Sequence, residues 1–161
     1  MFVNMSPKLI FVKAHMKKTA QELESVFLAL ADQTRLRLLN LMRGGEVCVC
    51  FFVEVLDEPQ PKISRHLAFL RKAGLVNARR DAKWMHYSIA QPQNATARRV
   101  FEQALEALAS DPDMQRDRAA LTKACCSTRS PELLRRAPKP QFTTKTMPIT
   151  TETQRAQRKP L

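Results

Sequence analysis

Pro59-Gln60-Pro61 is the feature that most restricts how this chain folds. Each proline disfavours helix in the residue before it, so the motif forces a turn. Pro61 also suits the first turn of a following helix, where its missing N–H would have had no partner. Upstream lies a short apolar segment, Val47–Leu56. Downstream, Lys62–Lys72 turns Ile63, Leu67 and Leu70 to one side, and Lys62, Arg65, His66 and Arg71 largely to the other. Gly74 then stops that helix. The sequence therefore reads as helix, tight turn, basic helix.

The flanks fit that frame. Leu23, Val26, Phe27 and Leu30 recur at helical spacing over Thr19–Ala31. Asp32 is a good N-cap for a second helix carrying Leu36, Leu39 and Met42, which Gly44-Gly45 ends. After Gly74 come two strand-like runs, Leu75–Arg79 and Trp84–Ile89, separated by Arg80-Asp81-Ala82-Lys83, which predicts a hairpin. Ala95–Ala109 reads as a last long helix, with Val100, Phe101, Leu105 and Leu108 along one side. The expected fold class is mainly α with a small β-hairpin wing, the order of a winged helix-turn-helix. The rival is a small helical adaptor whose basic face is only solvated.

Residues 16–110 are expected to form that domain. Met1–His15 reads as a weakly structured extension, with Met16 a second candidate start. Residues 111–126 read as a helical extension, Asp113–Ala124, carrying a Cys-Cys pair. From Ser127 to Leu161, five prolines, many threonines and scattered basic groups predict a disordered basic tail.

At 161 residues the chain has room for one compact domain. The net charge is +12 with a pI of about 10.2. Between Pro59 and His86, Lys62, Arg65, Arg71, Lys72, Arg79, Arg80 and Lys83 face only one acidic group, Asp81. A basic stripe of that density points to a polyanion as partner, with nucleic acid the expected one. No window approaches the roughly 18 apolar residues of a membrane helix, and Met1–His15 has no credible cleavage site, so no membrane partner is expected. Cysteines in two tight pairs, Cys48/Cys50 and Cys125/Cys126, suit a cytoplasmic chain with metal or redox chemistry better than a disulfide scaffold. Catalysis is not expected. There are only three glycines, no phosphate-cradling loop, and no motif pairing a nucleophile with a base.

Residues 46–89 strongly resemble the arsenical-resistance repressors of the ArsR/SmtB family. The matching motifs are Glu46-Val47-Cys48-Val49-Cys50, Gln60-Pro61-Lys62-Ile63-Ser64-Arg65-His66-Leu67-Ala68-Phe69-Leu70-Arg71 and Lys83-Trp84-Met85-His86-Tyr87. Asp32-Gln33-Thr34-Arg35-Leu36-Arg37-Leu38-Leu39 is similar to the family's second helix, and the likeness runs from about Thr19 to Ser110. It implies a homodimer that binds double-stranded operator DNA and releases it on taking up a thiophilic ion. Gln60, Lys62, Ser64, Arg65 and His66 match the start of the family's recognition helix. Gln60 and Arg65 have donors for adenine or guanine edges, while Lys62, Ser64 and Arg71 suit phosphates. Ser64 also suits helix capping. Arg79, Arg80, Lys83 and His86 would belong to the wing, and Trp84 and Tyr87 would pack it on the domain.

The Cys-Val-Cys matches the family's arsenic-sensing branch, implying As(III) or Sb(III) as inducer, with no cofactor needed for DNA binding. Soft thiolates suit such ions, and a helix N-terminus favours thiolate at Cys48 and Cys50. A regular helix would not hold both sulfurs on one ion, so binding is expected to distort the helix start. The family often carries a third cysteine where this chain has Val53. Cys125 or Cys126, or a small exogenous thiol, could complete a three-sulfur site; the pair could also form a site of its own or be idle. Ala95–Ala109 has no histidine, so the zinc-sensing branch's site on that helix is missing. The alternatives are a ligand-independent winged-helix DNA binder and a sensor of Cd(II) or Zn(II).

Overall fold

The structure, a computed structural model, describes residues 7–126, 134 and 136–140, with 7–18 and 126 as backbone only. The elements run α1 (Pro7–Leu30), α2 (Gln33–Met42), β1 (Val47–Cys48), α3 (Val49–Leu56), α4 (Gln60–Lys72), β2 (Val76–Asp81), β3 (Trp84–Ile89), α5 (Ala95–Ser110) and α6 (Pro112–Cys126). A three-stranded antiparallel sheet in the order β1-β3-β2 closes the domain beside α4. Among the described residues, no helix is long and apolar enough to cross a membrane.

Local chemistry sets most boundaries. The Asp32 carboxylate accepts from the Arg35 N–H at 2.9 Å and so starts α2. Pro59 precedes α4, which begins at Gln60 with Pro61 in its first turn. At its far end the Gly74 N–H reaches the Arg71 carbonyl and the Leu75 N–H reaches the Leu70 carbonyl, both at 3.0 Å. This paired closure needs the left-handed backbone that Gly74 adopts, at φ +73°. It also explains why β2 begins at Val76 rather than Leu75: the Leu75 N–H is engaged in ending the helix. The hairpin turn is only Ala82-Lys83, with Asp81 paired to Trp84.

Ile63, Leu67 and Leu70 are fully buried, as their spacing predicts. Each contributes about 1.5–3 kcal/mol by leaving water. They meet Leu38, Leu39, Phe51 and Phe101 in one core. Arg35 ties three helices together. Its guanidinium donates to the Ala29 and Leu28 carbonyls at the end of α1, both at 2.8 Å, and lies 4.5 Å from the centre of the Phe69 ring on α4.

Three expectations need correction. Helix begins at Pro7, not near Thr19, so the described part of Met1–His15 is not weakly structured; no glycine or proline interrupts Lys8–Leu30. The sheet has a third strand, β1, too short to show any alternation. Finally, Leu134 and Ala137 are buried in the core, so those positions are not part of a disordered tail. The rest of the expected tail, residues 127–133, 135 and 141–161, lies outside the described residues, as do residues 1–6.

The extension helix returns to the body. Asp111 caps α6 by accepting from the Asp113 and Met114 N–H groups at 2.9 and 3.0 Å. Arg37 on α2 grips Asp117 through two bonds of 2.7 Å. The buried Asn40 amide donates to the Met114 carbonyl at 2.7 Å.

Candidate nucleic-acid interface and thiol site

The outward face of α4 presents Gln60, Ser64, Arg65 and Arg71 to solvent. Their exposure follows from the helical period that buries Ile63, Leu67 and Leu70 behind them. Lys62 is half-buried and paired with Glu58 at 2.6 Å, so its charge is partly answered within the chain. Arg80 and Lys83 stand exposed at the hairpin tip, the first bonded to the Ala82 carbonyl at 3.0 Å, the second 5.1 Å from the centre of the Trp84 ring. Trp84 and Tyr87 pack against the core and hold the wing to the domain. The Tyr87 hydroxyl is harder to ionise than usual because it is partly buried.

Two residues expected at the DNA surface are placed elsewhere. His86 is 4% exposed, with Nδ1 3.9 Å from Glu46 and Nε2 buried without a hydrogen-bond partner. Buried in the middle of β3, it is not part of the exposed basic surface. His66 is half-buried and turns Nδ1 toward Asp32, 3.4 Å away, so it packs α4 against the start of α2. Arg79 is exposed but clasped. It donates to both Glu46 carboxylate oxygens, at 2.7 and 3.1 Å, and to Asp81 at 3.4 Å. The Arg79 hydrogen bonds hold the Glu46 carboxyl below the usual carboxylate range.

Cys48 is the N-cap residue of α3 and Cys50 lies in its first turn. Both are buried, and their sulfurs are 3.0 Å apart, with the Cys50 thiol donating to Cys48. That hydrogen bond lowers the Cys48 thiol to about 7, against the opposing effect of burial and with help from the backbone N–H groups of Cys50, Val49 and Met85. Cys50 moves the other way, because its proton is held by Cys48 and its sulfur is buried. Of the two sulfurs, Cys48 is the one that ionises first. Two soft donor atoms therefore lie side by side at the start of α3.

Val53 is half-buried against the core. Cys125 is buried in the same core on α6, which packs on α3. Among the described residues, no three His, Cys, Asp or Glu side chains come together as a metal site. The side chain of Cys126 lies outside the described residues.

A recognition helix after a tight turn, a basic two-stranded wing and a buried core behind them define a winged helix-turn-helix DNA-binding regulator. The family model described as "Bacterial regulatory protein, arsR family" matches residues 32–78. The chain is 45% identical over 80 residues to the arsenical resistance operon repressor of Escherichia coli K12, covering 49% of this chain and 68% of that protein. It is 51% identical over 65 residues to the arsenic resistance transcriptional regulator ArsR1 of Pseudomonas putida KT2440, covering 40% of this chain and about half, 51%, of that one. Among solved structures, HlyU from Vibrio cholerae matches with a TM-score of 0.50 at 26% identity, over 58% of this chain and 98% of that one. The protein belongs to the ArsR family of transcriptional regulators, which are DNA-binding proteins and not enzymes.

Proposed function

We propose that this protein is a homodimeric repressor that holds operator DNA and releases it when As(III) or Sb(III) binds Cys48 and Cys50. The observation that carries the reading is the sulfur pair, 3.0 Å apart at the start of the helix immediately before α4. Distorting that turn displaces α3, and α3 packs directly on α4. Gln60 and Arg65 are assigned to base edges, and Ser64, Arg71, Arg80 and Lys83 to backbone phosphates, with Lys62 and Arg79 contributing once freed from Glu58 and Glu46. The names of the two arsenic-resistance relatives support the choice of ion.

Dimerisation rests on α1, where Phe27 and Leu28 are 57% and 53% exposed on a helix packed against α5. Residues 16–110 serve as the DNA-binding unit, 111–126 as an extension docked on it, and operator binding places the protein in the cytoplasm. Cys125 and Cys126 are candidates for a third sulfur, delivered if α6 shifts.

The test is operator binding titrated with arsenite and, separately, with Zn(II), alongside counting of thiols protected from alkylation. Release by arsenite with two thiols protected supports a Cys48–Cys50 site; three protected thiols add one from α6. Arsenite release that persists after Cys48→Ser and Cys50→Ser would overturn the assignment.

A further inference from the structure

We infer that Glu46 is a positioning residue that couples the thiol site to the wing, making the hairpin a second output of Cys48 and Cys50 beside α4. The inference rests on the reading of Cys48 and Cys50 as the sensor. Its basis is that Cys48 is itself part of the sheet. Strand β1 is two residues long, with Val47 paired to Tyr87 and Cys48 paired to His86. On the other side of β3, His86 is paired to Arg79. Directly paired residues in antiparallel strands project to one face, so Cys48, His86 and Arg79 form a single cross-strand row.

Glu46, just ahead of β1, closes that row from outside. Its carboxylate takes both prongs of the Arg79 guanidinium and also faces His86. The buried, unpartnered Nε2 of His86 shows that the row holds together without a full set of hydrogen bonds. A two-residue strand cannot absorb a rotation at Cys48 internally. Any change that turns the Cys48 backbone to bring its sulfur onto an ion strains the pairing with β3. That strain passes through Glu46 to Arg79, a wing cation. The path to the wing is therefore distinct from the path to α4, which runs through the packing of α3 on that helix.

The Glu46–Arg79 clasp is substantially exposed, at 34% and 54%, so solvent screens it and its removal leaves the fold intact. Its importance is directional: it fixes where the Arg79 guanidinium points.

The experiment uses the full chain, with operator affinity measured with and without sodium arsenite for wild type, Glu46→Gln, Arg79→Ala and the double variant. Trp84, the single tryptophan, begins β3 and reports on the wing without DNA. In Glu46→Gln, arsenite is expected to protect the same number of thiols as in wild type. The arsenite-induced loss of operator affinity should shrink at least threefold, and the Trp84 emission change should be lost. Glu46→Asp, which keeps the carboxylate, should restore part of both. The double variant should show the same reduced arsenite response as either single one, because each removes the same clasp, while basal operator affinity falls wherever the Arg79 charge is lost. An undiminished arsenite response of operator affinity and Trp84 emission in Glu46→Gln would overturn the inference. If wild type shows no thiol protection by arsenite, the sensor reading fails instead, and the coupling is then read by alkylating Cys48 with iodoacetamide. The Trp84 change must then appear in wild type and be absent from Glu46→Gln, and its presence in both rejects the coupling.

Discussion

Arg37 and Asp117, 80 residues apart in sequence, are joined by two hydrogen bonds of 2.7 Å that fasten α6 to α2. Donating these bonds to Asp117 raises the Arg37 guanidinium above its ordinary value. Arg37→Ala would strand a carboxylate whose side chain is only 10% exposed. The expected cost is about 2–3 kcal/mol, at or below the lower end for a broken buried pair because Arg37 is partly solvated. Urea denaturation should show it as a lowered midpoint, and Cys125 should alkylate faster. A midpoint unchanged from wild type would mean that α6 is held by its apolar contacts alone.

On the DNA face, charge and base reading should separate. Gln60→Ala and Arg65→Ala should each cost about 1–3 kcal/mol on the best operator and relax discrimination. Arg80→Ala should instead weaken binding to all sequences and flatten the salt slope by about one unit. Lys62→Ala should flatten it less, since Glu58 already answers that charge. Anisotropy titrations over a range of salt concentrations, on operator and random DNA, distinguish the two kinds of effect.

The sulfur pair should titrate in two widely separated steps. Cys48 should gain thiolate absorbance near 240 nm as pH rises through about 7, while Cys50 stays protonated. Cys50→Ala removes the thiol that donates to Cys48, so the lower step should move to higher pH. A difference titration against Cys48→Ala assigns the step. An unmoved lower step in Cys50→Ala would show that the backbone N–H groups, and not the second thiol, stabilise the thiolate.

Phe27→Glu and Leu28→Glu should leave the fold intact, because both side chains are already in water, yet shift the protein toward monomer. Sedimentation velocity would show the smaller species. Affinity for a palindrome should then fall toward that for a single half-site. Unaltered dimers in both variants would move the interface off this part of α1.

What the sequence disclosed was what it encodes locally. Asp32, Pro59, Pro61 and Gly74 each act on backbone within a few residues, and each element boundary near them follows from the residue itself. Ile63, Leu67 and Leu70 announce their face by spacing. The features that escaped detection depend on partners far along the chain. Glu46 meets Arg79 33 residues later, and Arg37 meets Asp117 80 residues later, with no periodicity to flag either pairing. Strand β1 is defined by its register against β3, which two residues cannot signal. His66 and His86 were misplaced because a polar ring suggests an outward position, while their neighbours in three dimensions supply the carboxylates of Asp32 and Glu46 that let them turn inward. The second cysteine pair drew attention for its chemistry, but what puts Cys125 in the core is the docking of α6.

The buried position of Cys48 and Cys50 has a consequence for timing. If Cys48 and Cys50 are the sensor, an ion gains the fully enclosed Cys48 sulfur only when the first turn of α3 opens, and such local openings occur at a rate belonging to the protein. At low dose, uptake should be proportional to arsenite concentration. Once the ion is abundant enough to capture every opening, adding more cannot hasten the response. The protein would then behave as a clock whose fastest tick is written into the packing of one helical turn.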